Sequence, residues 1–520
     1  MKPIQRIAIA NRGEVAVRII RACQELGIES VLLHSEADVK TRAYRMADRQ
    51  ICIGPAESAK SYLNIDANVK GALAAAADAI HPGFGFLSEN AQFARACQKA
   101  NILFIGPSPE AIEMLGDKVT CKSIAQELKI PLVPGYEGIN QDVEFLVREA
   151  TRIGFPVIVK AAAGGGGRGM KIIRSREEAG DLIESAKREA QAAFGSSKVF
   201  LEKYLDRAKH IEFQIFGDLG GKVHCFLDRE CSVQRRHQKI IEESLSPSLS
   251  TELRAKMVDA ATRIAQRAKY TGAGTVEFLL QDNEFYLLEV NTRLQVEHPV
   301  TEMVMGIDLV KSQILNVEGK FFLDPLNPPA PRGHSIECRI YAENSYLQGI
   351  PSTGLLGFVE WPEGPGRRFE YGFEEGDVVT EFYDSMIAKV IVWDETRSRA
   401  IKKMERVLKD SVIFGVHTNI PYLLEILAHP DFVSGQMTTQ FISQHYPNGL
   451  DPVSFNEDTK KVIESVRSQV LSGTKSNVSQ NRSLNNSLSD NELSPFMAQW
   501  GNHLNEFNVG TNRSNGLVNK

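Results

Sequence analysis

The chain has 520 residues, of which 42% are hydrophobic and 24% are charged. This length exceeds one compact domain and suggests about three domains with large apolar cores. A formal net charge of -5 gives no general attraction to nucleic acid. The 7 cysteines form no CxxC pair, so the sequence indicates neither a zinc site nor a disulfide framework.

No run of the sequence reaches the apolar length that a bilayer span requires. The first residues lead straight into a predicted strand rather than into a signal peptide. We therefore expect a cytoplasmic protein that does not enter a membrane.

The N-terminal region alternates strand and helix patterns. Residues 7–10 form a short apolar run, residues 15–26 form an amphipathic helix that ends at Gly27, and residues 30–34 form a second apolar run. This βαβ opening predicts a doubly wound parallel sheet. No GxGxxG motif follows the first strand, so a dinucleotide site is not favoured.

A glycine-rich loop joins two predicted strands in the next region. Residues 161–169, Ala-Ala-Ala-Gly-Gly-Gly-Gly-Arg-Gly, lie between strands predicted at 156–160 and 170–174. A P-loop would open a helix and place its lysine after the glycines, whereas Lys160 precedes them here. Without Cβ atoms, the backbone N–H groups could approach a phosphate, and the loop could close as a flap. The alternative is a plain flexible hairpin.

Carboxylates are concentrated in a predicted hairpin further along the chain. Residues 275–290 hold two β-branched and aromatic runs around a Gln-Asp-Asn-Glu turn. A turn centred near Asn283 places Glu277 opposite Glu289, with Asn291 on the same face. Facing carboxylates repel each other unless a cation lies between them, and Mg²⁺ prefers oxygen ligands. The pattern predicts a metal site, with the solvent-facing edge of a polar hairpin as the alternative.

The segment after this hairpin carries polar residues in alternation. Arg293, Gln295 and Glu297 would project to one side of an extended chain. They offer an anion clamp, an amide and a candidate general base. Residues 230–239, Glu-Cys-Ser-Val-Gln-Arg-Arg-His-Gln-Lys, form a second polar segment whose basic residues favour anion binding over a merely solvated face.

The composition changes twice towards the C-terminus. After a proline-rich connector at 325–331, residues 334–450 mix short strands with one predicted helix at 395–408. A further predicted helix at 458–471 gives way to Asn- and Ser-rich sequence through Lys520. That sequence cannot bury enough apolar surface to order itself.

Together these motifs resemble the ATP-grasp superfamily and, within it, the biotin carboxylase family. The resemblance covers residues 4–447 and rests on residues 81–90, 164–170, 235–239, 291–302 and 383–384. It implies an α/β (α+β) protein with the ATP-grasp fold, an N-terminal Rossmann-like parallel-sheet domain, a mobile glycine-rich lid and a C-terminal mixed α+β domain. The corresponding expected divisions are an N-terminal domain at 1–115, an ATP-grasp domain at 116–330 with its lid at 131–205, a C-terminal domain at 331–448, and a tail at 449–520.

The resemblance also implies roles for individual residues. The nucleotide site would comprise Lys118 and Lys160 at the phosphates, Gly165, Gly166, Gly167 and Met170 in the flap, Glu202, Lys203 and Leu205 at the adenine, and His210, Gln234 and His237 near the ribose. Mg²⁺ or Mn²⁺ would be held by Glu277, Glu289 and Asn291, and bicarbonate by Lys239, Arg293, Gln295 and the backbone of Val296. Glu297 corresponds to the general base, and Arg339 to the group that stabilises negative charge on the ureido oxygen of biotin.

The implied reaction joins these parts. Glu297 would deprotonate bicarbonate as it attacks the γ-phosphate of ATP, giving carboxyphosphate and ADP. Carboxyphosphate would then give CO₂ and phosphate, the phosphate would take the N1′ proton of biotin, and N1′ would attack the CO₂. No Met-Lys-Met biotin-acceptor sequence occurs, so biotin is expected on a separate carrier protein, with a carboxyltransferase subunit as a further partner and a homodimer as the implied assembly.

The final acyl acceptor stays open at this point. An acetyl-CoA carboxylase of fatty acid metabolism, another acyl-CoA carboxylase acting on propionyl-CoA or methylcrotonyl-CoA, and a pyruvate system would all use such a component. Two other functions remain as alternatives. One is another bicarbonate-activating ATP-grasp ligase, such as one of the carbamoyl phosphate synthetase kind, and the other is a catalytically idle ATP-binding subunit.

Overall fold

The computed structural model describes residues 3–161, 170–236, 238–321, 329–451 and 461 of the chain. Most of the tail predicted at 449–520, including nearly all of its helix at 458–471, lies outside these residues.

The N-terminal region forms a five-stranded sheet in which every neighbouring pair of strands is parallel. The strands lie in the order Arg49–Gly54, Glu29–Ser35, Arg6–Ile9, Ala79–His81 and Leu103–Phe104. The helices of this region are Gly13–Leu26, Arg42–Met46, Ile65–Ala74 and Ala91–Lys99, with 3₁₀ turns at Glu36–Asp38 and Ser58–Lys60. The helix predicted at 15–26 is confirmed. It ends at Gly27, whose φ of 69° is a left-handed conformation that favours glycine.

The segment predicted as the lid forms a small sheet of its own. Its strands pair antiparallel in the order Gly135–Tyr136, Val199–Lys203, Val157–Ala161 and Lys171–Ile173. Helices Val143–Ile153 and Arg176–Phe194 pack against them and close a separate apolar core. The two strands predicted on either side of the glycine-rich loop are present and pair with each other, whereas residues 162–169 of the loop lie outside the described residues.

The largest sheet of the described fold has eight strands, and all its neighbouring pairs are antiparallel. The order is Glu284–Asn291, Gly272–Gln281, Lys209–Gly217, Val223–Arg235, Gln238–Ser244, His334–Tyr341, Met386–Asp394 and Arg367–Tyr371. The first five strands precede residue 330 and the last three follow it. One sheet therefore runs across the boundary predicted between the ATP-grasp and C-terminal domains.

Helices and short strand pairs complete the fold. The remaining helices are Pro109–Gly116, Lys118–Glu127, Thr251–Arg267, His298–Met305, Leu309–Val317, Arg397–Asp410, Ile420–Ala428, Pro430–Val433 and Phe441–His445, with a 3₁₀ turn at Ser345–Leu347. The short strands are Glu343–Asn344, Ile350–Pro351, Gly354–Leu355, Phe358–Glu360, Val378–Val379 and Val412–Phe414. No helix in the described part of the chain has the length and apolar character needed to cross a membrane.

The expectation of a single helix after residue 334 is wrong in part. Arg397–Asp410 confirms the predicted helix, but three further helices follow it. Ile420–Ala428 is apolar over most of its length and largely buried, so it lacks the amphipathic period on which the prediction depended. Pro430–Val433 and Phe441–His445 are too short to show any period.

Candidate active site

Four neighbouring strands of the large sheet each place one charged residue in a single row. Glu289 lies opposite Glu277, Glu277 opposite Glu212, and Glu212 opposite Arg229. Residues opposite each other on adjacent strands share a face and have Cβ atoms about 5 Å apart. Three carboxylates therefore crowd one face, and each needs a nearby cation or hydrogen-bond donor.

The predicted pairing of Glu277 with Glu289 is confirmed, although the turn that produces it differs from the expected one. Asp282 and Asn283 both have positive φ, and the hairpin is centred between them. That centre alone would place Leu288 opposite Glu277. A bulge after Glu277 shifts the register by one residue and brings Glu289 into place.

Lys239 lies where this row meets the candidate base. Its Nζ atom is 2.5 Å from Glu212, 2.9 Å from Glu277 and 2.7 Å from Glu297. Burial would lower the pKa of Lys239, but the three carboxylates outweigh burial and raise that pKa well above its ordinary value. The ammonium group therefore stays charged and holds the three acids together.

Glu297 has no exposed surface and binds a second cation. Nη2 of Arg339 lies 3.0 Å from Glu297, and Nε of Arg339 donates to Glu242 at 2.6 Å. Burial favours the neutral form of Glu297, but Lys239 and Arg339 outweigh it and hold the pKa of Glu297 well below its usual range. Burial raises the pKa of Glu242 to about 7 despite the neighbouring Arg339. Arg339 thus lies between a firmly ionised acid and one that titrates near neutral pH.

Arg293 is fixed by an acid that the sequence did not suggest. Its Nε donates to Glu89 at 2.7 Å, its Nη1 to Gln295 at 2.9 Å, and its Nη2 to Asn291 at 3.0 Å. Glu89 also accepts the backbone N–H of Thr292 at 2.9 Å. Glu89 lies 204 residues before Arg293 in the chain, so no local sequence pattern could have identified it as the partner of Arg293. The predicted clamp is a guanidinium group whose plane is set from three sides.

Arg229 is the second residue that the sequence did not suggest. It is fully buried, binds Glu212 through Nε, and donates to Gln214 at 2.8 Å and to Thr301 at 2.9 Å. Its cost of burial is outweighed mainly by Glu212, and its pKa is raised. A buried arginine in an alternating strand would have been a usable signal, since such a residue needs an acidic partner.

At the other end of the site, Glu202 is shared by two lysines. Lys160 contacts one carboxylate oxygen of Glu202, and Nζ of Lys122 lies 2.9 Å from the other. Burial would raise the pKa of Glu202, but the two ammonium groups lower it. Lys122 was not predicted, and it lies one turn after the predicted Lys118, whose side chain is 81% exposed.

One cavity of about 610 Å³ brings most of the predicted residues together. The predicted residues along its wall are Lys160, Met170, Glu202, Lys203, Leu205, His210, Gln234, Lys239, Glu277, Glu289, Asn291, Arg293, Gln295, Val296 and Arg339. Glu297 lies behind this wall, and Lys118 lines a neighbouring cavity that also contacts Glu289 and Asn291. The predicted Gly165, Gly166, Gly167 and His237 lie outside the described residues.

A second cavity, of about 540 Å³, adjoins the first. The two cavities share Gln238, Arg293, Val296 and Arg339. Much of the second wall is aromatic and comprises Phe84, Phe86, Tyr341, Phe382 and Tyr383. Arg339 therefore faces both a polar space lined by charges and a space with apolar sides.

The facing carboxylates fit a divalent cation. Burial and the charge of Glu277 raise the pKa of Glu289, and the ammonium of Lys118 is 3.9 Å away from it. Glu277 is better satisfied, because Nε2 of His210 lies 2.8 Å from it and Asn291 donates to it at 2.8 Å. Lys239 and His210 outweigh burial and lower the pKa of Glu277. An ionised acid beside an acid in need of a cation is a donor set that suits Mg²⁺ or Mn²⁺.

Three family models match successive parts of the chain. They describe the biotin carboxylase N-terminal domain over residues 3–112, the carbamoyl-phosphate synthase L chain ATP binding domain over residues 117–320, and the biotin carboxylase C-terminal domain over residues 337–444.

Curated relatives agree with these models. Biotin carboxylase of Nostoc sp. is 46% identical over 440 residues, which are 84% of this chain and 98% of that protein. Biotin carboxylase 1 of Bacillus subtilis is 46% identical over 444 residues, which are 85% of this chain and 99% of that protein. The mitochondrial methylcrotonoyl-CoA carboxylase subunit alpha of Dictyostelium discoideum is also 46% identical, but this chain spans only 65% of its length.

Solved structures show the same likeness. The biotin carboxylase of Campylobacter jejuni, in a β-γ-ATP complex, has a TM-score of 0.80 and 43% identity over 85% of this chain and 99% of that one. The biotin carboxylase domain of a Hydrogenobacter thermophilus 2-oxoglutarate carboxylase, a dimer with MgADP and bicarbonate, has a TM-score of 0.80 and 42% identity over 87% of this chain and 100% of that one. The chain therefore belongs to the biotin carboxylase family and is an ATP-dependent ligase that carboxylates biotin.

Proposed function

We propose that this chain performs the first half-reaction of a biotin-dependent carboxylase, in which ATP and bicarbonate carboxylate biotin presented by a carrier protein or domain. The observation that carries this proposal is that Glu297 binds both Lys239, which lines the first cavity, and Arg339, which lines both cavities. A base placed there can act on an anion in the first cavity. The arginine beside it can act on a cyclic urea in the second.

The nucleotide would occupy the first cavity. Lys160, Lys118 and the unpredicted Lys122 are the cations available to its phosphates, and Met170 with Gly165, Gly166 and Gly167 would cover them. Glu202, Lys203, Leu205, His210, Gln234 and His237 would hold the adenosine part. Lys160 and Lys122 are now bound to Glu202, so a phosphate would compete with that carboxylate for both ammonium groups.

Glu277 and Glu289, with Asn291, would hold the divalent cation, and the amide of Asn291 also donates to Glu277 at 2.8 Å. A bound Mg²⁺ or Mn²⁺ ion neutralises charge that develops on the phosphate oxygens during transfer. Glu289 gains most from such an ion, since its carboxylate faces another at close range and its own lysine partner is largely exposed.

Bicarbonate would lie between Lys239 and Arg293, beside Gln295 and the backbone N–H of Val296. Glu297 would then take its proton as the oxygen attacks the γ-phosphate. The pKa of Glu297 is held down by Lys239, so a carboxylate in that position is ionised but weakly basic. An anion between Lys239 and Arg293 would compete for the ammonium, loosen its hold on Glu297 and make Glu297 a stronger base.

Arg339 would act on the second substrate. Its guanidinium group lines both cavities and already binds two carboxylates, so it can turn a donor to a ureido oxygen without losing every counter-charge. Stabilising negative charge on that oxygen is the effect expected to promote carboxylation at the neighbouring nitrogen.

We further propose the division into domains at 1–115, 116–330, 331–448 and 449–520. The unbroken sheet across residue 330 supports a rigid link between the second and third of these. Two relatives, the methylcrotonoyl-CoA and propionyl-CoA carboxylase alpha chains, support a carrier and a carboxyltransferase as partners, and the dimeric Hydrogenobacter domain supports a homodimer. The biotinylated protein that co-purifies with this chain would identify the acyl acceptor, and cell fractionation would test the expected cytoplasmic location.

One assay tests the proposal against its rivals. ADP release is measured with ATP, Mg²⁺ and bicarbonate, alone and then with free biotin or with ammonia. Stimulation by biotin together with incorporation of labelled bicarbonate supports the biotin carboxylase reaction. Stimulation by ammonia would instead support a ligase of the carbamoyl phosphate kind, and no turnover in any mixture would support an idle ATP-binding subunit.

A further inference from the structure

We propose that two buried residues outside both cavity walls, Lys389 and His298, are positioning residues for bicarbonate. They hold the carbonyl groups of Gln295 and Val296 from behind, and so set the direction of the Val296 N–H and of Glu297. This inference rests on the proposed function, because it concerns how the same site receives its anion.

Lys389 is fully buried and donates to the carbonyl oxygen of Val296 at 2.7 Å. Its Nζ atom also lies 3.0 Å from Glu370 and 3.3 Å from Glu14, and 5.8 Å from the ring centre of Phe84. A buried ammonium group needs counter-charges, and these two acids provide them. Two of the three N–H bonds of the ammonium group can point to these acids, and the third donates to the carbonyl group of Val296, next to the candidate base.

The partners of Lys389 come from three parts of the chain. Glu14 is the second residue of the first helix of the N-terminal region, Glu370 lies in the last strand of the large sheet, and Val296 lies in the segment proposed to bind bicarbonate. Lys389 faces Arg339 in the neighbouring strand of the same sheet. Lys389 thus contacts the turn at Val296 from the strand that pairs with the strand of Arg339.

His298 fixes the preceding peptide. It is fully buried, and its Nδ1 atom lies 2.7 Å from the carbonyl oxygen of Gln295. A carbonyl oxygen only accepts, so Nδ1 carries the proton and donates. Burial lowers the pKa of His298 to about 3, so the ring stays neutral and this arrangement persists at neutral pH.

Peptide geometry turns these two contacts into orientation. In a trans peptide the C=O and the following N–H point in opposite directions. Because His298 holds the Gln295 carbonyl, the N–H of Val296 points away from His298, and Val296 lies on the wall that both cavities share. Because Lys389 holds the Val296 carbonyl, the peptide that leads into Glu297 cannot rotate. Bicarbonate therefore meets a donor and a base whose directions are set before it arrives.

Lys389→Met tests the first contact, since it removes the ammonium group and keeps an apolar stem of similar length. Lys403→Met is the matched control. Lys403 also donates to a backbone carbonyl at 2.7 Å, that of Trp393, and pairs with an acid at 2.9 Å, but Trp393, unlike Val296, lies on neither cavity wall. The measurements are ADP release with varied bicarbonate and varied ATP, and calorimetric titration of bicarbonate into the ADP-bound protein.

For Lys389→Met we expect about a 100-fold loss of kcat/KM for bicarbonate and weaker bicarbonate binding, because small displacements at a reacting centre have effects of this size. The KM for ATP should stay within about twofold, since no nucleotide contact changes. Lys403→Met should behave like the wild type. An equal rise in both KM values, or a wild-type response to bicarbonate, would overturn the inference.

Two further variants keep the test decisive if Lys389→Met does not fold. Adding Glu14→Gln to Lys389→Met removes one of the buried acids left without its partner. His298→Asn keeps an N–H donor near the Nδ1 position, whereas His298→Phe removes it. We expect His298→Asn to retain most activity and His298→Phe to lose it through bicarbonate, and equal activities of the two would refute the role of His298. Absence of bicarbonate-dependent turnover in the wild type would refute the proposed function itself.

Discussion

Replacing Glu297 with glutamine separates a chemical role from a structural one. The substitution Glu297→Gln keeps the shape of the side chain and removes its negative charge. Lys239 would still contact two other carboxylates, and Arg339 would still bind Glu242. Neither cation loses all its partners, so the loss of stability should stay below the roughly 3–5 kcal/mol that an unpaired buried charge costs.

We expect Glu297→Gln to fold and yet to lose most of its activity. A positioned general base contributes about 10²- to 10⁴-fold to a rate, equivalent to roughly 3–5 kcal/mol of barrier. We therefore expect Glu297→Gln to lower bicarbonate-dependent ADP release by at least about 100-fold. ATP binding, followed by titration calorimetry, should persist because the nucleotide contacts are unchanged.

Glu242→Gln is the matched control for this experiment. Glu242 is equally buried and binds the same guanidinium group, but the ion pairs of Lys239 in the described structure are with Glu212, Glu277 and Glu297. We expect less than about a tenfold loss of ADP release in this variant, since no proton acceptor facing bicarbonate is removed. Wild-type turnover in Glu297→Gln would remove Glu297 from the role of base. Equal losses in the two variants would show that only the charge around Arg339 matters.

Three other substitutions probe the rest of the site and the fold. Arg339→Ala should keep part of the bicarbonate-dependent ADP release but lose label transfer from bicarbonate to biotin by at least about 100-fold, and equal loss of both activities would contradict the assigned division of labour. Glu289→Gln should raise the Mg²⁺ concentration needed for half-maximal ADP release by at least about tenfold, whereas an unchanged requirement would place the metal elsewhere. Burial lowers the pKa of His81 to about 3. Below about pH 6.5 the unfolded chain therefore binds a proton that the folded chain does not. The free energy of unfolding should then fall by about 1.4 kcal/mol per pH unit as the pH drops from 6.5 to 5. Thermal unfolding of His81→Asn should show a smaller fall over this range, and identical pH slopes for variant and wild type would exclude His81 as its source.

The relative positions of candidate site residues could be predicted best where those residues lie close together in the sequence. The hairpin at 275–290 could be predicted from its β-branched runs and turn, and the facing positions of Glu277 and Glu289 followed from the period of a strand. Arg293, Gln295 and Glu297 were expected on one side of an extended chain, but the chain bends at residue 293 and turns at 296–297 into the helix His298–Met305. Arg293 and Gln295 line the first cavity, whereas Glu297 lies behind its wall. The bulge that sets the register of the hairpin has no recognisable sequence signal. The expected turn was centred on Asn283, half a residue beyond the observed centre, and this error happened to offset the missing bulge and to give the correct pair of Glu277 and Glu289.

Residues that act through distant partners could not be found in this way. Arg229 and Glu212 lie opposite each other on adjacent strands, and Glu89 binds Arg293 although the two are more than two hundred residues apart in the chain. Lys389 carries no motif at all. Such contacts are set by strand order and by the packing of separate regions, and neither is encoded in the spacing of neighbouring residues.

The buried carboxylates around Glu297 share a smaller number of cations, and this sharing sets how strong a base Glu297 would be. Lys239, Arg229 and Arg339 contact Glu212, Glu277, Glu297 and Glu242, so three cations are shared among four buried carboxylates. Glu277 and Glu297 therefore owe their lowered pKa values to cations that they share with other carboxylates. Anything that draws Lys239 or Arg339 towards a substrate leaves Glu297 less neutralised and raises its affinity for a proton. In the proposed reaction, the base strength of Glu297 would thus depend on whether the two adjoining cavities are occupied, and the shared cations would couple the arrival of bicarbonate and of biotin to the transfer of the bicarbonate proton.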